Sequence, residues 1–112
     1  MGYADITTPI RFVSLAVTST AVSLLDFSGV TAADVQNASL ATLSIVGGNV
    51  NIRWDGTNPT GGDNGGIRIV GLPSAGVQAN AVFQVEGGNA VANLRIIAET
   101  GSTPTVNVML EG

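Results

Sequence analysis

Short runs of alternating apolar and polar residues, separated by turn residues, occupy nearly the whole chain from Phe12 onward. Val13, Leu15 and Val17 alternate with Ser14, Ala16 and Thr18, and Val22–Phe27 continues that strand or starts the next one after a bend at Ser19–Thr20. Ala41, Leu43 and Ile45 alternate with Thr42 and Ser44; Val50, Ile52 and Trp54 follow after Gly47–Gly48, a hairpin signal. Further runs carry Ile67 and Ile69, then Ala79, Ala81, Phe83 and Val85, then Leu94, Ile96 and Ala98, and finally Val106, Val108 and Leu110. A period of two puts one set of side chains on each face of a strand. Seven to eight such strands, rich in β-branched residues, predict an all-β fold. We expect a single antiparallel β-sandwich, jelly-roll-like.

At 112 residues there is room for one core. The expected organisation is an N-terminal arm, residues 1–11, ahead of a sandwich domain, residues 12–112. Ser28–Ser39 is the only helix-flavoured stretch. There Thr31 and Asp34 have the spacing of a capping box, which suits one helical turn or a plain loop. Leu72–Gly76 and Gly87–Asn89 read as turns. Asp55–Gly66 holds five glycines, two asparagines and two aspartates, and a loop of that length is often functional.

Charge is scarce: 11% of residues, against about 25% in ordinary chains. Too few charges exist to cover the surface. The chain therefore reads as a low-charge extracellular-type β domain, or as a subunit that buries apolar surface against neighbours. A net charge of −4 and four isolated arginines (Arg11, Arg53, Arg68, Arg95) argue against nucleic acid and against anionic membrane as partners. No run of 18 apolar residues predicts a membrane-spanning helix, and the first residues lack a signal-peptide pattern. Absent cysteines remove disulfides and thiolate metal sites.

Histidine, lysine and cysteine are all absent, so general-base and nucleophilic chemistry lack their usual side chains. No enzymatic activity and no cofactor are expected. A two-carboxylate glycosidase is disfavoured, because short loops leave little cleft. Arg53, Arg68 and Arg95 share a context, IRW, IRI and LRI, on the face opposite the apolar residues. They form either an arginine ladder toward a partner subunit or a solvated outer face. Asp55, Gly56, Thr57, Asp63 and Asn64 resemble a calcium loop only loosely, since Asp and Asn favour turns for backbone reasons. Asp55 is instead placed to pair with Arg53. Trp54 is expected to anchor the core, with Trp54→Ala costing about 3–5 kcal/mol.

From about Ala41 to Leu110 the chain resembles a family of small bacteriophage virion structural proteins. The residues that carry the resemblance are the RWDGTxPT-like motif Arg53-Trp54-Asp55-Gly56-Thr57-Asn58-Pro59-Thr60, then Leu94-Arg95-Ile96-Ile97-Ala98, then Gly101 and Val106-Asn107-Val108. The loop Thr60–Gly66 departs from that pattern, and the N-terminal third has no counterpart. The resemblance implies a non-enzymatic particle component: a head decoration or spike protein, otherwise a neck or tail component. Its expected place is the virion, assembled in the host cytoplasm. Expected partners are copies of itself, with a trimer as one form, and other virion proteins. Deleting Met1–Ile10 should then weaken assembly and spare the fold. The alternative is a glycan- or surface-binding module, with calcium as an aid, using the same loop and Trp54.

Overall fold

A computed structural model describes residues 8–72 and 82–112. Among these residues, eight strands form two four-stranded sheets. They are β1 (Pro9–Ala16), β2 (Val22–Ser23), β3 (Leu40–Val46), β4 (Asn49–Arg53), β5 (Ile67–Val70), β6 (Val82–Glu86), β7 (Arg95–Ala98) and β8 (Thr105–Glu111). One sheet has the order β1-β8-β3-β6 and the other β2-β7-β4-β5, and every strand pair is antiparallel. That interleaved order, in which all connections but β4–β5 cross between sheets, is a jelly roll. The two sheets are called here the smooth sheet (β1-β8-β3-β6) and the arginine sheet (β2-β7-β4-β5).

The core follows from the alternation. Ala41, Leu43 and Ile45 on β3, and Val106, Val108 and Leu110 on β8, face Val50 and Ile52 on β4 and Ile96 and Ala98 on β7. Two short helices close one end of this layer. The first, α1 (Ala32–Asn37), resolves the choice between a helical turn and a loop. Thr31 Oγ1 accepts from Asp34 N at 3.1 Å, and Thr31 N donates to Asp34 Oδ2 at 3.0 Å, which is the capping box read from the sequence. Val35 and Ala38 turn inward with Phe27, which is 1% exposed.

Several expectations are corrected. The run Val22–Phe27 is not a strand throughout: after two residues it tightens into a 3-10 turn, Leu24–Asp26. Ser23 N donates to Asp26 Oδ2 at 2.8 Å, a local bond that competes with continued pairing. Gly87-Gly88-Asn89 is not a simple turn, because Gly88 opens a second helix, α2 (Gly88–Ala92), whose Val91 is fully buried. Gly47–Gly48 does not close a hairpin. Strand β3 pairs with β8 and β6, so these glycines carry the chain from one sheet to the other, with Gly47 at φ +84°.

The first strand starts at Pro9. Pro9, Ile10 and Arg11, which the sequence reading gave to the arm, therefore belong to the sheet, and Ile10 packs on the core. Thr8 and Gly112 extend this pairing through reciprocal backbone hydrogen bonds of 3.0 and 2.8 Å. The remainder of the arm, residues 1–7, lies outside the described residues. So do most of the Leu72–Gly76 turn and both Ala79 and Ala81. Among the described residues, no helix is long and apolar enough to cross a membrane.

Candidate functional site

The RWDGT motif marks the end of β4, and the structure gathers around it most of the residues singled out by sequence. Alternation sends Val50 and Ile52 into the core and leaves Asn49, Asn51 and Arg53 on the outer face of the arginine sheet. Arg53 stands directly opposite Arg95 on β7, and Arg68 on β5 stands opposite Asn51. The three arginines thus share one sheet face, as their common context predicted.

Two of them are neutralised there. Arg53 Nε and Nη2 hold Asp55 at 3.1 and 2.5 Å, the pairing expected from sequence. That ion pair, with a second bond from Thr57 N, pulls the Asp55 carboxyl from 3.8 down to about 2. Arg68 pairs with Glu99, which also accepts from Asn49 Nδ2 at 2.9 Å; both contacts lower the Glu99 pKa, Arg68 having the larger effect. Arg95 donates to the Leu94 carbonyl at 3.0 Å. Gly56 sits at φ +82° with its N–H on the Asn93 carbonyl at 3.3 Å, so the Asp-Gly step turns toward the end of α2.

Trp54 is not a core anchor. Its position in the alternation points it inward, but it lies past the last pair of β4, at the open side of the sandwich, and remains 40% exposed. Its ring meets the half-buried Phe83 of β6 at a centroid distance of 6.0 Å and a tilt of 36°. Ile67, 50% exposed, lies on the neighbouring strand with the same orientation. Between Trp54 and Ile67 a groove of about 310 Å³ opens, floored by Ile52 and rimmed by Arg53, Asp55 and Asn64.

The calcium-loop idea meets a chemical obstacle: both Asp55 oxygens are taken by Arg53, one of them shared with Thr57 N. Among the described residues, no three acidic side chains converge. Instead the loop 55–66 folds back over the arginine sheet. Asn51, 3% exposed, donates through Nδ2 to the carbonyls of Thr60 (2.8 Å) and Gly62 (3.1 Å), and Gly61 accepts from Thr100 N at 2.9 Å. Sequence reasoning missed Asn51, Asn49 and Glu99. The signal was present in Asn49-Val50-Asn51-Ile52-Arg53, where the period places both asparagines beside Arg53 just before a long loop.

A second surface has a different character. The outer face of the smooth sheet carries Phe12, Ser14 and Ala16 from β1; Thr105, Asn107 and Met109 from β8; Leu40, Thr42, Ser44 and Val46 from β3; and Val82 and Gln84 from β6. Among the described residues, its only charges are Glu86 and Glu111, both in the end row beside Leu40. Polar groups on it bond to each other: Ser14 to Asn107 at 2.7 Å and Gln84 to Thr42 at 3.3 Å. Phe12 (64%) and Val82 (60%) stand exposed at its two rims.

Compared with known proteins, this chain matches no family model, no curated protein and no solved structure.

Proposed function

We propose that this protein is a non-enzymatic structural subunit of a bacteriophage virion, a head decoration or spike protein first and a neck or tail component otherwise. It works by docking on copies of itself and on other virion proteins, after synthesis in the host cytoplasm. The observation that carries this reading is the outer face of the smooth sheet, whose rows carry no charge apart from Glu86 and Glu111 at one end. A sheet face with exposed Phe12 and Val82 and no charge in its interior rows has nothing there to repel a neighbour. The RWDGTxPT-like motif supplies the link to virion proteins, and a stiff jelly roll suits a building block.

Size refines the proposal. Strands about 4.8 Å apart, with about 3.3 Å per residue, give a face of about 400 Å² for a sheet of this width. A standard interface buries about 800 Å² per partner. Accessible surface exceeds that flat projection, so the face can supply a large part of such an interface, and we assign the rest to neighbouring surface that includes residues 1–7. The truncation that tests this must stop after Thr7, since Pro9 and Ile10 are part of β1.

Light scattering on the purified chain across concentration tests the reading. A closed oligomer is expected, reduced to monomer by Thr42→Arg at the middle of the face, and weakened but still folded on removal of residues 1–7. A native chain that stays monomeric and fails to bind phage particles, or an oligomer untouched by Thr42→Arg, would refute it.

A further inference from the structure

The groove beside Trp54 has the composition of a saccharide site, and its lining comes from β4, β5 and the loop between them rather than from the outer face proposed for assembly. We infer that it binds a neutral oligosaccharide, with one sugar ring against Trp54 and the next beside Arg68 and Glu99.

Four observations converge on this occupant. First, Trp54 lines the groove, is 40% exposed, and is steadied by a tilted contact with Phe83. A pyranose presents a face of C–H groups that packs on such a ring, while its hydroxyls point outward around the rim. Second, the rim is polar where those hydroxyls would fall. Arg53 holds Asp55 through Nε and Nη2, which leaves its Nη1 hydrogens to donate to a hydroxyl, while Asp55, already accepting three bonds, keeps one lone pair of Oδ2 as acceptor. Because that pair is neutral as a unit, and the whole chain carries −4, an uncharged sugar suits it better than an acidic one.

Third, Asn64 projects from the loop at φ +61°, the one non-glycine residue among those described with positive φ. It borders both this groove and a second hollow of about 470 Å³ lined by Asp63, Arg68 and Glu99. The two hollows therefore adjoin across Asn64. The second is polar and contains another arginine–carboxylate pair, so the trough has room for more than one ring. Fourth, the loop that forms the divide is held in place by Asn51 and by Thr100, so the rim is organised before any ligand arrives.

Trp54 is the only tryptophan, so its fluorescence reports on this groove alone. The experiment titrates the full chain with glucose, galactose, mannose and N-acetylglucosamine, and with cellobiose, lactose, mannobiose and chitobiose. Saturation-transfer NMR is run on the same mixtures. At least one disaccharide should give a saturable emission shift in the millimolar range, more tightly than its monosaccharide. Asn64→Gly keeps the backbone conformation and removes the amide; it should weaken binding about tenfold with an unchanged thermal midpoint, as should Arg53→Gln with only the small midpoint loss of an exposed ion pair. Silence with every sugar overturns the inference, as does binding that both variants retain. It also falls if Trp54 emission shifts with protein concentration alone, since the groove would then be a contact between copies. A response to calcium without sugar would likewise assign the site to a cation.

Discussion

Asn51 sits under the loop 55–66 as the one buried polar side chain among the described residues, and its two hydrogen bonds fasten that loop to the sheet. Asn51→Ala removes both bonds but leaves two carbonyls that water can reach. A loss of about 1–2 kcal/mol is expected, read as a lower urea midpoint. Hydrogen exchange should quicken at Thr60 and Thr100, whose N–H groups bond Gly65 and Gly61 inside the fastened loop. An unchanged midpoint with unchanged protection would show that the loop holds itself. Trp54 illustrates the opposite misjudgement. Its parity along β4 was legible and correct, yet parity says nothing about whether the facing layer extends over that position. Because the ring is 40% exposed, Trp54→Ala should cost only about 1–2 kcal/mol, below the range for a core truncation. Ile52→Ala, at 0% exposure one turn of the pleat earlier, should cost about 2–5 kcal/mol. Parallel denaturation of the two variants checks the order, and equal losses would return Trp54 to the core.

Strands were the legible elements and their connections were not. Alternation fixes which side chains share a face, so β3, β4, β7 and β8 and their core residues could be read directly. Gly47–Gly48 has the chemistry of a hairpin, but whether the chain turns back or crosses to the other sheet depends on β8, about sixty residues later. Likewise α2 is too short for a period to show, and what marks it as helix is the burial of Val91. Ion pairs tie the elements together: Arg53 to Asp55 within the site, Arg68 of β5 to Glu99 after β7, and Arg11 of β1 to Asp34 of α1. All three carboxyls are shifted downward, Asp34 chiefly by the Thr31 N–H and then by Arg11. A carboxyl with a lowered folded pKa stabilises the protein above its unfolded value and loses that contribution as pH falls through the folded value. For Asp55 the window runs from 3.8 to about 2. The thermal midpoint should therefore hold down to about pH 5 and drop toward about pH 2, with a shallower drop in Asp55→Asn. A profile flat through that window, or identical in the variant, would contradict the pairs.

Across the molecule, charge is divided unequally between the two faces, and that division decides how assembly should respond to salt. The arginine sheet carries Arg53, Arg68 and Arg95 with Asp55 and Glu99 beside them, whereas the interior rows of the smooth sheet carry none. Sequence showed the scarcity of charge but not its segregation, which depends on the sheet order 1-8-3-6 against 2-7-4-5. Two routes to association are thus distinguishable. If the arginine ladder met acidic groups on a neighbour, raising salt from about 0.1 M to 1 M would shrink the screening length from about 10 Å to about 3 Å and weaken assembly. If the smooth face is the contact, apolar burial and neutral hydrogen bonds hold it, and the same salt should leave the association constant unchanged or raise it. We predict the second outcome, measured by sedimentation or light scattering at fixed protein concentration, with Thr42→Arg converting the salt-indifferent oligomer to monomer while Arg95→Gln leaves it intact. Dissociation at high salt, together with loss of the oligomer in Arg95→Gln, would move the interface to the arginine sheet and leave the smooth face without its proposed role.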